Sequence, residues 1–200
     1  MSSARVHVKK LSQGEAASVY AIRHMTAESD VETHEHLIAM IGFGARSKTI
    51  RKLTGAHLSV IRRLCKRDPN YEQPKGRLER SLNRILDNPV LHLEGSLFVS
   101  FVQAYHLLYP HLDSKLMVET VRLTRHALRG SGALSFESQL SLAESFVAKE
   151  IHLVRCPECS TRFVKSARMT KIGSTYRTGD CPYCYAMDRI RRGRSVKATS

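Results

Sequence analysis

Two short knuckles dominate this sequence: Cys156-Pro157-Glu158-Cys159 and Cys181-Pro182-Tyr183-Cys184, with 21 residues between them. A C-P-x-C segment places two thiolates on one side of a tight turn, and two such turns can close a tetrahedral sulfur shell around a cation. The segment carrying them is too polar to build a large core of its own, so a bound ion has to supply much of its folding free energy. Cys156, Cys159, Cys181 and Cys184 therefore form the candidate metal site, and one structural Zn²⁺ is the expected ion. A full four-thiolate shell leaves no position for water or substrate. Redox C-x-x-C pairs, free thiols and iron–sulfur ligation are the competing readings. The shell would carry a net charge of −2, which Arg155, Arg162, Lys165 and Arg177 are near enough in sequence to offset. The fifth cysteine, Cys65, sits beside Leu64 in an amphipathic stretch and reads as a small buried hydrophobe.

Charge is the second constraint. The chain has 32 Lys+Arg against 18 Asp+Glu, a formal +14 over 200 residues. The excess falls in two blocks. Residues 45–67 hold eight basic residues and no acidic one, and residues 151–200 hold eleven basic and three acidic. A basic surface repels itself, so two such blocks predict an anionic partner, nucleic acid first. A solvated Lys/Arg face is the plainer alternative for each.

The rest of the chain reads as mainly α: a helical bundle with a helix-turn-helix-like segment and a small C-terminal zinc-ribbon-like module built on the four cysteines. Residues 1–28 form a leader of uncertain order, 29–150 a helical domain, 151–188 the metal-binding module and 189–200 a basic flexible tail. Ser29-Asp30-Val31-Glu32 fits a capping box, and Leu37, Ile38 and Ile41 share a side of the helix that follows. Further helices are expected over about 77–87, 91–109, 113–129 and 135–150. Leu97, Phe101, Tyr105 and Leu108 form the inward stripe of the second of these, and Phe136, Leu140, Ala143 and Val147 that of the last. No secretory signal or membrane span is expected, which points to a cytoplasmic protein.

Within 45–67, Ser47–Leu53 and His57–Arg67 read as two helices about the turn Thr54-Gly55-Ala56. Ile50, Leu53, Leu58, Ile61, Leu64 and Cys65 point inward. The outward positions give a first set of DNA-contact candidates: Lys48, Arg51, Lys52, His57, Ser59, Arg62, Arg63, Lys66 and Arg67. The second set comes from the C-terminal block: Lys165, Arg168, Lys171, Arg177, Arg191, Arg192 and Arg194. An ordinary helical hairpin with a basic outer face is the alternative for 45–67. No Walker motif, dinucleotide fingerprint or nucleophile–base arrangement is present, so an enzyme is not expected.

Several of these features occur together in one family. Gly44-Ala45-Arg46 opens the helix-turn-helix-like stretch. A central helical region follows, and a Leu/Phe-rich helix (Leu142 to Val147) runs into I-H-L-V-R-C-P-E-C. This order resembles the FlhC family over roughly residues 35–190. The resemblance implies a transcriptional activator subunit of the bacterial flagellar master regulator. It implies a hetero-hexamer of four FlhD-like and two FlhC subunits, binding double-stranded promoter DNA of flagellar genes upstream of RNA polymerase. It also implies a single zinc on Cys156, Cys159, Cys181 and Cys184. An RNA-binding or ribosome-associated zinc-ribbon protein is the other functional reading, and the 6% aromatic content without Trp weighs against base stacking.

Overall fold

A computed structural model describes residues 27–72, 74, 82–166 and 180–197. The chain order is α1 (Ala27–Gly42), α2 (Ser47–Thr54), α3 (Leu58–Arg67), α4 (Leu82–Asp87), α5 (Pro89–Leu108), α6 (Ser114–Ala127), α7 (Phe136–Val147), β1 (Ile151–Arg155), β2 (Arg162–Ser166) and α8 (Pro182–Lys197). The protein is mainly helical, and the described residues include one two-stranded sheet toward the C-terminal end.

Helix α5 is the axis of the molecule. Asn88 starts it by accepting the Val90 and Leu91 amides at 2.9 and 3.2 Å, and Pro89 takes a first-turn position that needs no amide donor. Helices α4, α6, α7 and α8 and both strands pack around α5. Its buried face is Gly95, Phe98, Val99 and Val102 rather than the expected stripe. Leu97, Phe101 and Tyr105 are half-buried, and Leu108 is 75% exposed. Apolar residues nearly encircle this helix, so two adjacent stripes compete on periodicity alone and the neighbouring helices decide between them.

A similar correction applies to α1. Leu37, Met40 and Ile41 are buried, whereas Ile38 is 53% exposed. At 100° per residue, a face centred between positions 37, 40 and 41 turns position 38 outward. In α7, Phe136, Leu140 and Ala143 face the core as expected and Val147 is half-buried at its end. The helices expected over 113–129 and 135–150 are shorter, because Asp113 and Ser135 act as N-caps and each helix closes before a left-handed residue, Arg129 or Lys149.

Helices α1, α2 and α3 pack as one unit. Between α2 and α3, Gly55 takes the left-handed conformation (φ 73°) and its amide donates to the Arg51 carbonyl at 2.8 Å. A side chain would be strained there. Ile50, Leu53, Ile61 and Cys65 are buried, and Leu58 and Leu64 are half-buried against the same core.

The hairpin β1–β2 is a wall between two cores. Its strands pair antiparallel, with Ile151 opposite Ser166 and Arg155 opposite Arg162. Alternation sends Ile151, Leu153 and Val164 into the helical core, and Val154 and Phe163 toward the cysteines. The basic C-terminal stretch departs from its expected form, because α8 continues helically through Lys197 instead of ending in a tail at Arg189. Among the described residues, no helix is long and apolar enough to cross a membrane.

Candidate metal centre and nucleic-acid interface

The four cysteines of the two knuckles converge. Their sulfurs all lie within 4.8 Å of one another, with Cys156–Cys184 at 3.8 Å and Cys159–Cys181 at 3.6 Å. None forms a disulfide. Cys156 and Cys181 are buried, and Cys159 and Cys184 are half-buried.

The two pairs are presented differently. Cys156-Pro157-Glu158-Cys159 is the hairpin loop itself. The Cys156 amide donates to the Thr161 carbonyl at 2.9 Å, the Ser160 amide donates to the Cys156 carbonyl at 3.0 Å, and Ser160 turns the chain with φ 61°. The second pair is not in a free turn. Cys181 precedes α8 and Cys184 lies in its first turn, so helical i,i+3 spacing aligns the two sulfurs.

Amides aimed at sulfur hold the site together. The hydroxyl and amide of Thr161 donate to Cys159 and pull its thiol down to about 6. Burial pushes the Cys181 thiol up, although it accepts the Tyr183 and Cys184 amides. The Cys184 thiol is raised strongly, first by its contact with Cys159. Four sulfurs this close cannot all be thiolates without a cation among them, and such a donor set can bind one metal ion. A small core of Cys156, Phe163 and Cys181, flanked by Val154, seals one side.

Charge around this centre is sorted. All three acidic residues of the C-terminal block, Glu158, Asp180 and Asp188, line a single cleft beside Cys156, Cys181 and Cys184. Of the basic residues of this block whose side chains are described, Arg155, Arg162, Lys165, Arg189 and Arg191, none lines that cleft. Arg155 and Arg162 are exposed and directly opposite across the hairpin, and His152 and Lys165 are likewise exposed and opposite. The like charges of Arg155 and Arg162 in cross-strand register are unfavourable without an anion. Sequence reading assigned Arg155 and Arg162 only to balancing the metal charge; their pairing follows from a register that sequence spacing does not fix. Lys165 and Arg191 are exposed. Arg192 and Arg194 fall on α8, whereas Arg168, Lys171 and Arg177 lie outside the described residues.

The first candidate set gathers on α2 and α3. Ser59, Arg62, Arg63, Lys66 and Arg67 line one shallow basin on the outer side of α3. Lys48 and Arg51 are carried by α2, Arg51 on its exposed side. Lys52 is held by Glu144 of α7 at 2.7 Å. His57 and Ser59 turn toward each other: His57 Nδ1 accepts the Ser59 amide at 3.3 Å and lies 2.8 Å from its hydroxyl, which makes His57 the N-cap of α3.

Helix α7 grips this unit through a second acid that sequence reasoning missed. The Glu137 carboxylate accepts the Arg46 amide at 2.9 Å and the Thr49 hydroxyl at 2.7 Å, at the entrance to α2. Glu137 and Glu144 are two turns apart on α7, so one helix face holds both the start and the side of α2. No sequence motif announces this contact, because the partners are 91 and 88 positions apart.

No family model matches this sequence, and no curated protein matches it.

Proposed function

We propose that this chain is a DNA-binding subunit of a transcriptional activator, stapled near its C-terminal end by one structural Zn²⁺. The observation that carries the reading is the outer side of α3: Ser59, Arg62, Arg63, Lys66 and Arg67 share one basin, while Ile61 and Cys65 root the same helix in the core. A rigid helix with a polar, basic outer side and no acid among its exposed residues suits a major groove lined by phosphates. The second basic surface is the hairpin pair Arg155 and Arg162, with Lys165 and Arg191 on the same module.

Zinc fits the donor set. A tetrahedron with metal–sulfur bonds of about 2.3 Å has sulfur–sulfur edges of about 3.8 Å, close to the 3.6 and 3.8 Å observed. Cys156, Cys159, Cys181 and Cys184 would hold the ion, and its role is to fix the hairpin against α8. The order of segments resembling the FlhC family supports an FlhD-like helical subunit as partner, promoter DNA of flagellar genes as target and RNA polymerase as a further contact. Apolar side chains left outside, Val31 and Ile38 on α1 and Leu107 and Leu108 at the end of α5, support a protein partner of some kind.

The test is a titration of labelled promoter duplex against rising salt, alone and with RNA as competitor, using wild type, Arg62→Ala and Arg63→Ala. Each substitution is expected to weaken specific binding by about 1–3 kcal/mol and to flatten the salt slope. Unchanged specific binding in both variants, or preference for the RNA competitor, sinks the reading.

A further inference from the structure

A cavity of about 780 Å³ opens between the start of α2, the inner edge of α3 and the segment that follows α3. Its volume lies within the range of small-molecule sites. Two chemistries share its wall. Arg46, Lys48, Arg62 and Lys66 supply four cations, and Leu58 with the ring of Tyr71 supplies an apolar side. Tyr71 is fixed in place, because its hydroxyl donates to the Ala45 carbonyl at 3.1 Å. Asp68 adds a single acceptor at the rim, with one of its oxygens already taking the Asn70 amide at 2.9 Å.

An anion alone would not use the apolar side, and an apolar ligand alone would leave Lys48, Arg62 and Lys66 facing it. A ligand with a phosphate at one end, a planar ring at the other and hydroxyl or amino donors between them satisfies all three. We propose that this cavity binds a free mononucleotide, with its phosphate among Lys48, Arg62 and Lys66 and its base against Tyr71 and Leu58. Arg62 and Lys66 also line the DNA basin, which adjoins this cavity along their side of α3. A bound nucleotide would therefore compete with duplex for these two side chains; this consequence rests on the DNA-binding reading, whereas nucleotide binding itself does not.

The experiment is calorimetric titration of the full metal-loaded chain with each of the four ribonucleoside 5′-monophosphates, and with ribose 5-phosphate and the free nucleosides as half-ligands. At least one nucleotide is expected to bind saturably and about tenfold or more tighter than either of its halves, a gap of about 1.4 kcal/mol. Tyr71→Leu is expected to weaken it at least fivefold, and Tyr71→Phe, which keeps the ring but loses the bond to Ala45, to weaken it by less. Binding by none of the four overturns the proposal. Ribose 5-phosphate binding as tightly as any nucleotide also overturns it, since the surface is then only an anion patch. Duplex titrations with and without saturating nucleotide separate the two readings. Nucleotide binding in a chain that ignores duplex leaves the cavity standing and removes the DNA reading. Duplex binding in a chain that ignores all nucleotides does the reverse.

Discussion

His92 and Val164 are joined by a buried hydrogen bond of 2.7 Å between the imidazole Nε2 and the backbone carbonyl. A carbonyl can only accept, so Nε2 carries the proton. One turn further along α5, the Ser96 hydroxyl accepts the Val164 amide at 3.0 Å and donates to the His92 carbonyl at 2.7 Å. Both backbone groups of one residue in β2 are thus held by α5, and the His92 ring also meets Phe163 edge-on at 5.9 Å. Through this joint the cysteine-bearing hairpin is docked on the helical body rather than appended to it.

The joint has a pH dependence. Burial, partly opposed by the bond to Val164, lowers His92 from 6.5 to about 4. In the unfolded chain the imidazole titrates near 6.5, so between those values the unfolded state binds the extra proton. Stability present above pH 6.5 is therefore lost as pH falls toward 4, by at most about 3 kcal/mol. Thiol protonation acts in the same direction, so the informative comparison is with His92→Gln, which can donate without titrating. Urea midpoints from pH 7.5 to 4.5 should fall more steeply for wild type; parallel slopes would show that His92 contributes nothing.

On the proposed DNA-binding reading, Glu137 should matter to duplex binding without touching the duplex. Glu137→Ala removes a negative charge beside a basic surface, which by electrostatics alone would tighten duplex binding. It also uncaps α2 at the Arg46 amide and the buried Thr49 hydroxyl. A stability loss of about 1–2 kcal/mol is expected in thermal unfolding, together with weaker duplex binding. Tighter binding would mean that the cap does not position α2.

Glu144 holds Lys52 at 2.7 Å with both side chains partly exposed, so the pair is worth well under about 1 kcal/mol to the fold. Glu144→Gln should leave thermal stability nearly unchanged and, on the proposed DNA-binding reading, make the Lys52 charge more available to a phosphate. The slope of log affinity against log salt should then steepen by about 0.9, the contribution of one phosphate contact. An unchanged slope would place Lys52 away from the duplex.

Gly132 stands against the Glu94 carboxylate: a Cβ built there would lie 2.8 Å from Oε1. That carboxylate is buried and accepts the Ala133 and Leu134 amides at 2.7 and 3.1 Å, which fixes the entry to α7. Gly132→Ala should displace it and cost about 1–3 kcal/mol in denaturant unfolding. A neutral result would show that the loop moves aside without strain.

Metal removal should act mainly on the C-terminal part. Chelation is expected to release one metal equivalent and to expose the amides of 151–166 to hydrogen exchange. The amides of α6, packed on α5 and α1, should stay protected. Loss of protection throughout would mean that the ion holds the whole fold.

Local chemistry made much of this protein legible in its sequence. The four cysteines, the turn at Gly55, the helix starts at Ser135 and His57 and the inward positions Ile50, Leu53, Ile61 and Cys65 depend on spacing within a few residues, where side-chain reach and helical period are fixed. Tertiary packing decided the rest. Ile38 and Leu108 are as apolar as their buried neighbours, and only the placement of adjacent helices leaves them outside. The bonds of Glu137 to α2, of Lys52 to Glu144 and of His92 to β2 join residues 72 to 92 positions apart. Such contacts leave no periodic trace, because a single polar side chain can serve equally well in solvent until the fold brings its partner within about 3 Å.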